Sequence, residues 1–438
     1  MHWRIVTEFL PQPIDVAAEV PDDPLSPALA CRLRTIRSHV HDPPRSVNGP
    51  CPLYPKSACA YARVSMMASA RAIAEKLLAK ADIRIGGDRP WDIAVHDERF
   101  FGRALSEGSL GLGESYMDGW WDVPELDEFI RRVLAARLDA AVAAGPPPFL
   151  LTLAKAFLFN LQSRSRAFQV GEKHYDLGND LYEAMLDKRL TYTCGYWKDA
   201  RNLDEAQEAK LDLVCRKIGL KKGDRVLDIG CGWGSFAIFA AERYGVSVTG
   251  VTVSKEQAEL GQARAKGLPI EIRLQDYREV TGTFTHVVSI GIMEHVGAKN
   301  YATYFDVVRR CLADGGLSLL HTIGSNVSVR TVNPWIGKYI FPNGMLPSVA
   351  QLGKAMERRF VMEDWHNFGA DYDATLMAWF RNFDAAWPAL RGTYGDRFYR
   401  MWKYYLLTCA GAFRARDMQL WQVVLSPHGV PGGYRSVR

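Results

Sequence analysis

The chain has 438 residues, of which 48% are hydrophobic and 24% are charged, and its formal net charge is +5. This composition is typical of a globular protein with two or three domains. No apolar run approaches the roughly 18 residues that a membrane-spanning helix needs, and the amino terminus lacks a secretory pattern, so we expect a cytoplasmic protein. The eight cysteines show neither disulfide nor metal-ligand spacing, which predicts reduced thiols and no metal site.

The beginning of the chain differs in composition from the remainder. Ten of the 22 prolines lie at or before Pro55, in a segment with little apolar periodicity. Proline removes backbone donors and interrupts helices, so we expect residues 1–67 to be disordered or to be a non-native extension. In the second case the native start lies near Met66 or Met67.

A small amino-terminal domain is predicted over residues 68–145. Ile73, Leu77 and Leu78 predict one core-facing helix face. A second helix is predicted from apolar residues at helical spacing, namely Leu126, Phe129, Ile130, Val133 and Leu134. The glycine-rich stretch 108–121 between them favours a turn packed by Trp120 and Trp121. The prolines of residues 145–148 then form a linker.

Residues 149–159, after the linker, are mostly apolar and are followed by Arg164 and Arg166. A helix with such a basic end can rest on a membrane surface, and a plain core helix is the alternative. The mild positive charge permits attraction to anionic phospholipid, but charge alone favours a slightly basic, solvated surface. We expect no nucleic acid among the partners.

Strands and helices alternate through the rest of residues 149–438, which we predict to be a catalytic domain. The predicted strands are 225–229, 246–251, 270–274, 285–292 and 317–323. The predicted helices are 204–220, 235–244, 254–266 and 300–312. Such alternation predicts an α/β fold with a mostly parallel sheet.

Residues 225–234 join a buried strand to a helix through Gly230, Gly232 and Gly234. Glycine lets the backbone approach a ligand closely, and the helix that follows presents free N–H groups. The dinucleotide fingerprint has another glycine spacing and an acid about 20 residues later. No acid ends the second strand here. The spacing resembles the S-adenosylmethionine loop of class I methyltransferases, with Asp228 ending the first strand.

From about residue 70 to the carboxyl end, the chain resembles bacterial cyclopropane-fatty-acyl-phospholipid synthases, which are relatives of the mycolic acid cyclopropane synthases. The resemblance is carried by the glycine loop, by the stretch 108–121 and by motifs at residues 172–180, 194–197, 294–297, 320–324, 360–373 and 409–413. It implies the mostly parallel, Rossmann-like sheet of class I methyltransferases. It also implies a small amino-terminal domain that contacts lipid or a second copy of the chain. It also implies a homodimer, peripheral to the inner membrane surface.

The activity implied by the resemblance is transfer of a methylene group, derived from the methyl group of S-adenosylmethionine, to the cis double bond of an acyl chain in an unsaturated phospholipid. The implied cofactor-binding residues are Tyr192, Thr193, Asp228, Gly230, Gly232, Gly234, Thr252, Gln257, Asp276 and Tyr277. Thr252 and Gln257 are expected on the ribose side, and Asp276 and Tyr277 at the adenine. Local roles are the alternative, because Gln257 also completes a capping box with Ser254.

A base must remove a proton before the ring closes. In the family this role is attributed to a bound bicarbonate ion, and the matching positions are Cys194, Glu294, His321, Ile323 and Tyr372. We expect Glu294 to be protonated or to act through His321. Cys409 matches a cysteine that the family marks as an active-site residue, although the chemistry needs no thiolate, and a small apolar helix residue is the alternative.

Two other functions stay open. The same cation, if reduced, gives a methyl-branched chain, and a vestigial fold would bind lipid without catalysis. Residues 322–348, which include Ile340, interrupt the sheet after His321. They form either a roof over an acyl tunnel or a packed insertion without lipid contact.

Overall fold

The computed structural model describes residues 70–138, 178–329 and 331–438. The extension at 1–67, the linker at 145–148, the apolar segment at 149–159 and most of the motif at 172–180 lie outside these residues. The domain boundaries that we place at residues 145 and 149 lie outside them as well.

The amino-terminal part begins with helical residues 70–80 and continues with short elements. These are β1 (Ala94–Val95), α1 (Arg99–Glu107), α2 (Ser109–Met117), β2 (Trp121–Asp122) and α3 (Leu126–Ala135). Leu126, Phe129 and Ile130 are buried, as the spacing predicts. Ile73 is 48% exposed and Ala74 is buried instead, so the predicted face of the first helix is wrong at Ile73.

The described residues after 177 contain the other α-helices and strands. They are α4 (Asn179–Met185), α5 (Leu203–Lys217), β3 (Arg225–Ile229), α6 (Ser235–Tyr244), β4 (Ser247–Thr252), α7 (Lys255–Arg264), β5 (Ile270–Leu274), β6 (Phe284–Ile290), α8 (Met293–Val296), α9 (Tyr301–Cys311), β7 (Leu312–Ser325), α10 (Pro334–Tyr339), α11 (Val349–Met356), β8 (Val361–Asn367), α12 (Ala370–Tyr394), α13 (Asp396–Arg414) and β9 (Met418–Ser426).

Seven of these strands form one sheet with the order β5-β4-β3-β6-β7-β9-β8. The first five strands in this order are parallel, and β9 is antiparallel to both of its neighbours. The predicted mostly parallel α/β fold is therefore confirmed. The chain passes from one side of β3 to the other between β5 and β6. Such a switch point opens a crevice at the carboxyl ends of the strands.

The carboxyl-terminal strands were not predicted from the sequence. β8 forms an edge of the sheet, where Val361 and Met362 are 45% and 52% exposed. Its sequence therefore lacks the alternation of apolar and polar residues that predicts a strand. β7 also extends to Ser325, beyond its predicted end, because its last residues pair with β9. The insertion therefore begins after Ser325 rather than after His321.

The predicted turn at residues 108–121 is wrong, because most of this stretch is the helix α2. Its glycines serve close packing. A Cβ built on Gly111 would lie 2.3 Å from the carbonyl oxygen of Arg103, and one built on Gly113 would lie 2.3 Å from the indole of Trp335. Glycine is tolerated within this helix because nothing larger fits.

The amino-terminal part shares its core with the carboxyl-terminal helices. Gly411 of α13 packs so closely on α3 that a Cβ there would lie 2.3 Å from the carbonyl oxygen of Asp127. Arg414 forms ion pairs with Asp127, at 2.7 Å, and with Asp373 of α12, at 2.8 Å. A continuous apolar cluster includes Phe129, Trp402 and other side chains from both parts. α3, α12 and α13 are thus packed together.

We predict that Gly113→Ala destabilises the protein by about 1–3 kcal/mol, because the methyl group must displace the Trp335 indole. Gly102→Ala in α1 is the matched control, since a Cβ at Gly102 meets nothing within 4 Å. This change should stabilise the helix by about 0.5–1 kcal/mol. Thermal unfolding of both variants measures the difference, and equal effects would contradict the close contact between α2 and α10.

Candidate active site

A pocket opens at the carboxyl ends of β3, β4 and β6, at the switch point. Nine of the ten expected cofactor residues line it, namely Tyr192, Thr193, Asp228, Gly230, Gly232, Thr252, Gln257, Asp276 and Tyr277. Gly234 does not line the pocket. It precedes α6 with a φ of 80°, and a Cβ there would lie 3.1 Å from Ile272, so its contribution is to the shape of the loop. Gly230 and Gly232 also have positive φ angles, which favour glycine.

Asp228 lies at the base of this pocket and is buried. Burial raises the pKa of Asp228 to about 7, although the nearby Lys210 ammonium opposes the shift. Its Oδ2 atom has no hydrogen-bond partner among the described residues. A buried carboxylate without a partner is costly, so the site is suited to a ligand that brings a compensating donor.

The side chains at the far end of the pocket are held by their neighbours. The Thr252 hydroxyl donates to Gln257 Oε1 at 2.9 Å. Gln257 therefore does not complete the predicted capping box, and only the half in which Ser254 accepts from the Gln257 N–H is formed. The Asp276 carboxylate is paired with Arg278 at 2.5 Å, so this acid is fixed rather than free in a loop.

A second group of polar residues lies beside the pocket. Cys194 directly follows Thr193, and Glu294 directly precedes His295, while Thr193 and His295 both line the pocket. The Glu294 Oε1 atom accepts the Ile323 N–H at 2.6 Å, and its Oε2 atom has no partner within the described ranges. Burial raises the pKa of Glu294 to about 7. The carboxyl group can therefore carry its proton near neutral pH.

Contacts with α12 bring Cys194 and Tyr372 into this group. The Gly195 N–H donates to Thr375 Oγ1 at 3.0 Å, and the Trp197 N–H donates to Asp371 at 2.7 Å. Tyr372 lies between these two α12 residues, and its hydroxyl interacts electrostatically with Cys194 and Glu294. Burial raises the pKa of the Cys194 thiol well above its usual range, so the thiol stays protonated.

His321 belongs to the same group and is buried. Gln422 Nε2 lies 3.3 Å from His321 Nδ1, and His321 Nε2 has no partner in the described part of the chain. Burial, together with the charges of Lys210 and Lys217, lowers the pKa of His321 well below its usual range. A neutral imidazole that accepts from Gln422 at Nδ1 carries its hydrogen on Nε2. We find no hydrogen bond between His321 and Glu294 among the described residues, and His321 pairs with Gln422 instead.

Cys409 lies on α13 within an aromatic cluster. Burial raises the pKa of the Cys409 thiol to about 12, which argues against a thiolate. Tyr405 of the same helix connects this cluster to the pocket, because its hydroxyl lies 2.9 Å from the hydroxyl of Tyr192. Tyr372 packs on Phe413 with ring centroids 4.5 Å apart. The second polar group therefore lies in aromatic surroundings.

The insertion after β7 packs against the protein core. Trp335 and Ile340 are each 1% exposed, and Tyr339 donates to Glu114 of α2 at 2.8 Å. Ile340 is therefore a core residue of the insertion. Ile336 and Phe341 are partly buried against the apolar cluster that includes Phe129 and Trp402.

Sequence reasoning missed Lys210, Trp233 and His295, which also line the pocket. Trp233 lies inside the glycine loop, between Gly232 and Gly234, and this position alone indicated that it lies at the cofactor pocket. Lys210 lies on the buried face of α5, where Ala206 and Val214 occupy the positions four residues before and after it. A lysine at such a core position is unusual and was the available signal.

The strand order and the glycine loop define the chain as a class I S-adenosylmethionine-dependent methyltransferase. Residues 162–423 match the family model described as mycolic acid cyclopropane synthetase. The chain belongs to this family.

The relatives agree with this assignment. The chain is 57% identical over 368 residues to the cyclopropane-fatty-acyl-phospholipid synthase of Escherichia coli, covering 84% of this chain and 95% of that protein. It is 33% identical over 347 residues to the tuberculostearic acid methyltransferase of Mycobacterium tuberculosis, and the match covers 74% of this chain and 80% of that protein. The solved structure of a mycolic acid cyclopropane synthase in complex with SAH and CTAB matches this structure with a TM-score of 0.56 and 30% sequence identity. The match covers 59% of this chain and 97% of that chain.

Two further findings concern the described residues only. None of their helices has both the length and the apolar character needed to cross a membrane. Within the same ranges, no cluster of histidine, cysteine and acidic side chains has the arrangement of a metal site.

We predict that Asp228→Asn stabilises the ligand-free protein, and does so more at pH 8 than at pH 5. The folded-state pKa, about 7, lies above the unfolded value of about 3.9, so the native carboxyl costs stability increasingly as the pH rises between these values. The amide avoids this cost, and the gain should differ by on the order of 2–3 kcal/mol between the two pH values. Denaturant unfolding measures it. Asp88→Asn, at an exposed position, should show no such difference.

Proposed function

We propose that the protein transfers a methylene group from S-adenosylmethionine to the cis double bond of an unsaturated acyl chain in a phospholipid, forming a cyclopropane ring. The observation that carries this proposal is the second polar group, in which Glu294 Oε2 and His321 Nε2 are buried without partners among the described residues. Simple methyl transfer to a nucleophilic atom needs no such group. Family membership and the 57% identical relative support the same reaction.

The reaction places two demands on the site. An alkene is a weak nucleophile, so the sulfonium methyl carbon must be held against the double bond while water is excluded. The alkene π electrons form the new C–C bond as the S–CH₃ bond breaks, and S-adenosylhomocysteine leaves. The carbocation then loses a proton from the new methyl group, and the electron pair of that C–H bond closes the ring. A base must accept this proton.

The residues of the second polar group fit a bound bicarbonate ion. The Tyr372 hydroxyl and His321 Nε2–H would donate to it, and a protonated Glu294 would add a third donor. The Ile323 N–H currently donates to Glu294 and would be shared with the ion, and the Cys194 thiol would lie beside it. Bicarbonate, when bound, would supply the base that accepts the proton. Lys210 adds positive potential that favours a buried anion.

Glu294 and Gln422 would prepare this group for an anion. A carboxylate next to an anion is repelled, whereas a neutral carboxyl group donates a hydrogen bond, and burial favours the neutral form. Gln422 would hold the His321 tautomer that presents Nε2–H. The protonated-Glu294 hypothesis is therefore the one that the geometry supports, rather than action through His321.

The amino-terminal part and the insertion are joined where α2 meets α10. Glu114 of α2 joins Lys338 and Tyr339 of α10, so a lipid that binds to the amino-terminal part would also affect the insertion. We infer that residues 68–145 contact the membrane surface or a second copy of the chain. Residues 149–438 would form the catalytic domain. The protein would work as a homodimer, bound peripherally to the cytoplasmic face of the inner membrane. Residues 1–67 would be an extension without a catalytic role.

Transfer of a methyl branch is the second candidate. Relatives named as fatty acid methyltransferases, such as one from Pseudomonas putida at 37% identity, favour it. A saturated branch requires a reductant for the carbocation. A buried anion site would instead remove a proton and favour the ring.

We predict that the protein adds one CH₂ to acyl chains of unsaturated phospholipid vesicles when methyl-labelled S-adenosylmethionine is supplied. Mass analysis should show a product that resists hydrogenation, as a ring does and a branched alkene does not. Vesicles of saturated phospholipid provide the control. A product with two further hydrogens would indicate the methyl branch, and cofactor binding without any transfer would leave only a lipid-binding function.

We predict that Glu294→Leu lowers kcat at least about 100-fold and leaves the affinity for S-adenosylhomocysteine within about twofold, because leucine can neither accept the Ile323 N–H nor donate to the bound anion, and Glu294 does not line the cofactor pocket. Calorimetry and the vesicle assay measure the two quantities. Glu357→Leu, at an exposed position, should change neither. Unchanged turnover in Glu294→Leu would remove this residue from the mechanism.

A further inference from the structure

Lys210 is a buried cation at the wall of the cofactor pocket. Its side chain extends from α5, is 0% exposed and lines the pocket. Among the residues that the structure describes, its Nζ atom donates one hydrogen bond, of 2.7 Å, to the Thr193 hydroxyl. An ammonium group has three donors, and a neutral hydroxyl does not offset the cost of removing its charge from water.

No carboxylate within the described residues forms an ion pair with Lys210. The nearby Asp187 accepts hydrogen bonds from the backbone of Arg189, at 3.0 Å, and of Thr191, at 2.7 Å. Asp228 interacts with Lys210 electrostatically, but the two groups are farther apart than the 4 Å of an ion pair. The pocket therefore contains a cation and an anion that are close but not in contact.

The arrangement holds Lys210 in place. Gln207, one helical turn before Lys210, donates to the carbonyl oxygen of Thr193 at 2.7 Å. The other side of Thr193 is confined, since a Cβ on Gly291 would lie 2.8 Å from its methyl group. The Thr193 hydroxyl accepts from Lys210 and can donate its own hydrogen into the pocket. Lys210 and Thr193 together form a fixed pair of donors.

We propose that Lys210 and Thr193 bind the carboxylate of the amino-acid end of S-adenosylmethionine, while Asp228 faces its ammonium group. A buried cation and a buried anion, separated within one pocket, match the two charges of a zwitterionic amino acid. This inference rests on the proposed use of the pocket for S-adenosylmethionine, and it assigns Lys210 as a specificity-determining residue.

The charges explain why the carboxylate, and no other part of the cofactor, belongs at Lys210. The sulfonium is positive and would be repelled by the ammonium group, and the adenine and ribose are neutral. Burial lowers the pKa of Lys210 to about 8, and the nearby carboxylates act in the opposite direction. The side chain therefore remains mostly protonated at pH 7. A bound carboxylate would raise this pKa.

The test compares three ligands by calorimetry at pH 7 with the full chain and with Lys210→Met. The ligands are S-adenosylhomocysteine, its decarboxylated analogue, which keeps the amine, and 5′-methylthioadenosine, which lacks both groups. Lys210→Met should weaken binding of S-adenosylhomocysteine about 10- to 100-fold, in keeping with loss of a charge-assisted hydrogen bond. The loss for the decarboxylated analogue should be at least about tenfold smaller, and 5′-methylthioadenosine should bind almost equally to both proteins.

Lys217→Met is the matched control. Lys217 lies on the same helix and is also buried, but it pairs with His366 and Asp364 and does not line the pocket. Its substitution should not discriminate among the three ligands. Equal losses for all three ligands in Lys210→Met would overturn the inference.

The unaltered protein provides a second measurement if Lys210→Met does not fold. It should prefer S-adenosylhomocysteine to the corresponding carboxamide by at least about tenfold, and a preference below about twofold would overturn the assignment. Failure of the unaltered protein to bind any of the three nucleosides would instead contradict the proposed function.

Discussion

The burial of a few polar groups at the carboxyl edge of the sheet, without internal ion pairs among the described residues, is the constraint on which the site depends. Asp228, Lys210, Glu294 and His321 are all buried there. Such groups reduce the stability of a folded protein unless something compensates them. They remain in place because the glycine loop, α5 and α12 hold the surrounding backbone. Ligand binding is the compensation that the arrangement allows.

The second polar group is buried by distant parts of the chain. The aromatic side chains of α12 and α13 enclose the second polar group, and α3 packs on α13 through Gly411 and Arg414. α2 supports the insertion through Gly113 and Glu114. The amino-terminal part therefore stabilises the helices that keep the site dry. A carbocation formed next to water would be lost to hydration, so this packing is a chemical requirement as well as a structural one.

Burial also sets the protonation states that the proposed chemistry needs. It favours a neutral carboxyl at Glu294, a neutral imidazole at His321 and protonated thiols at Cys194 and Cys409. All four groups are then uncharged, and each either donates a hydrogen bond or takes no part in the chemistry. The same low polarity strengthens every interaction with a bound anion. Low polarity also raises the cost of removing an anion from water, so several donors must surround any anion that binds there.

The sequence by itself determined the parallel α/β architecture and the glycine loop with Asp228, and the family resemblance implied the other pocket residues. The glycine spacing and the short apolar run around Asp228 are local properties of the chain, which a short segment carries without help. Only the tertiary structure decided the helix in residues 108–121, the strands β8 and β9, and the positions of Lys210 and Gln422. Each depends on a partner far along the chain, such as Trp335 for Gly113 or His321 for Gln422. A pattern within one segment carries no information about a partner that only folding brings near.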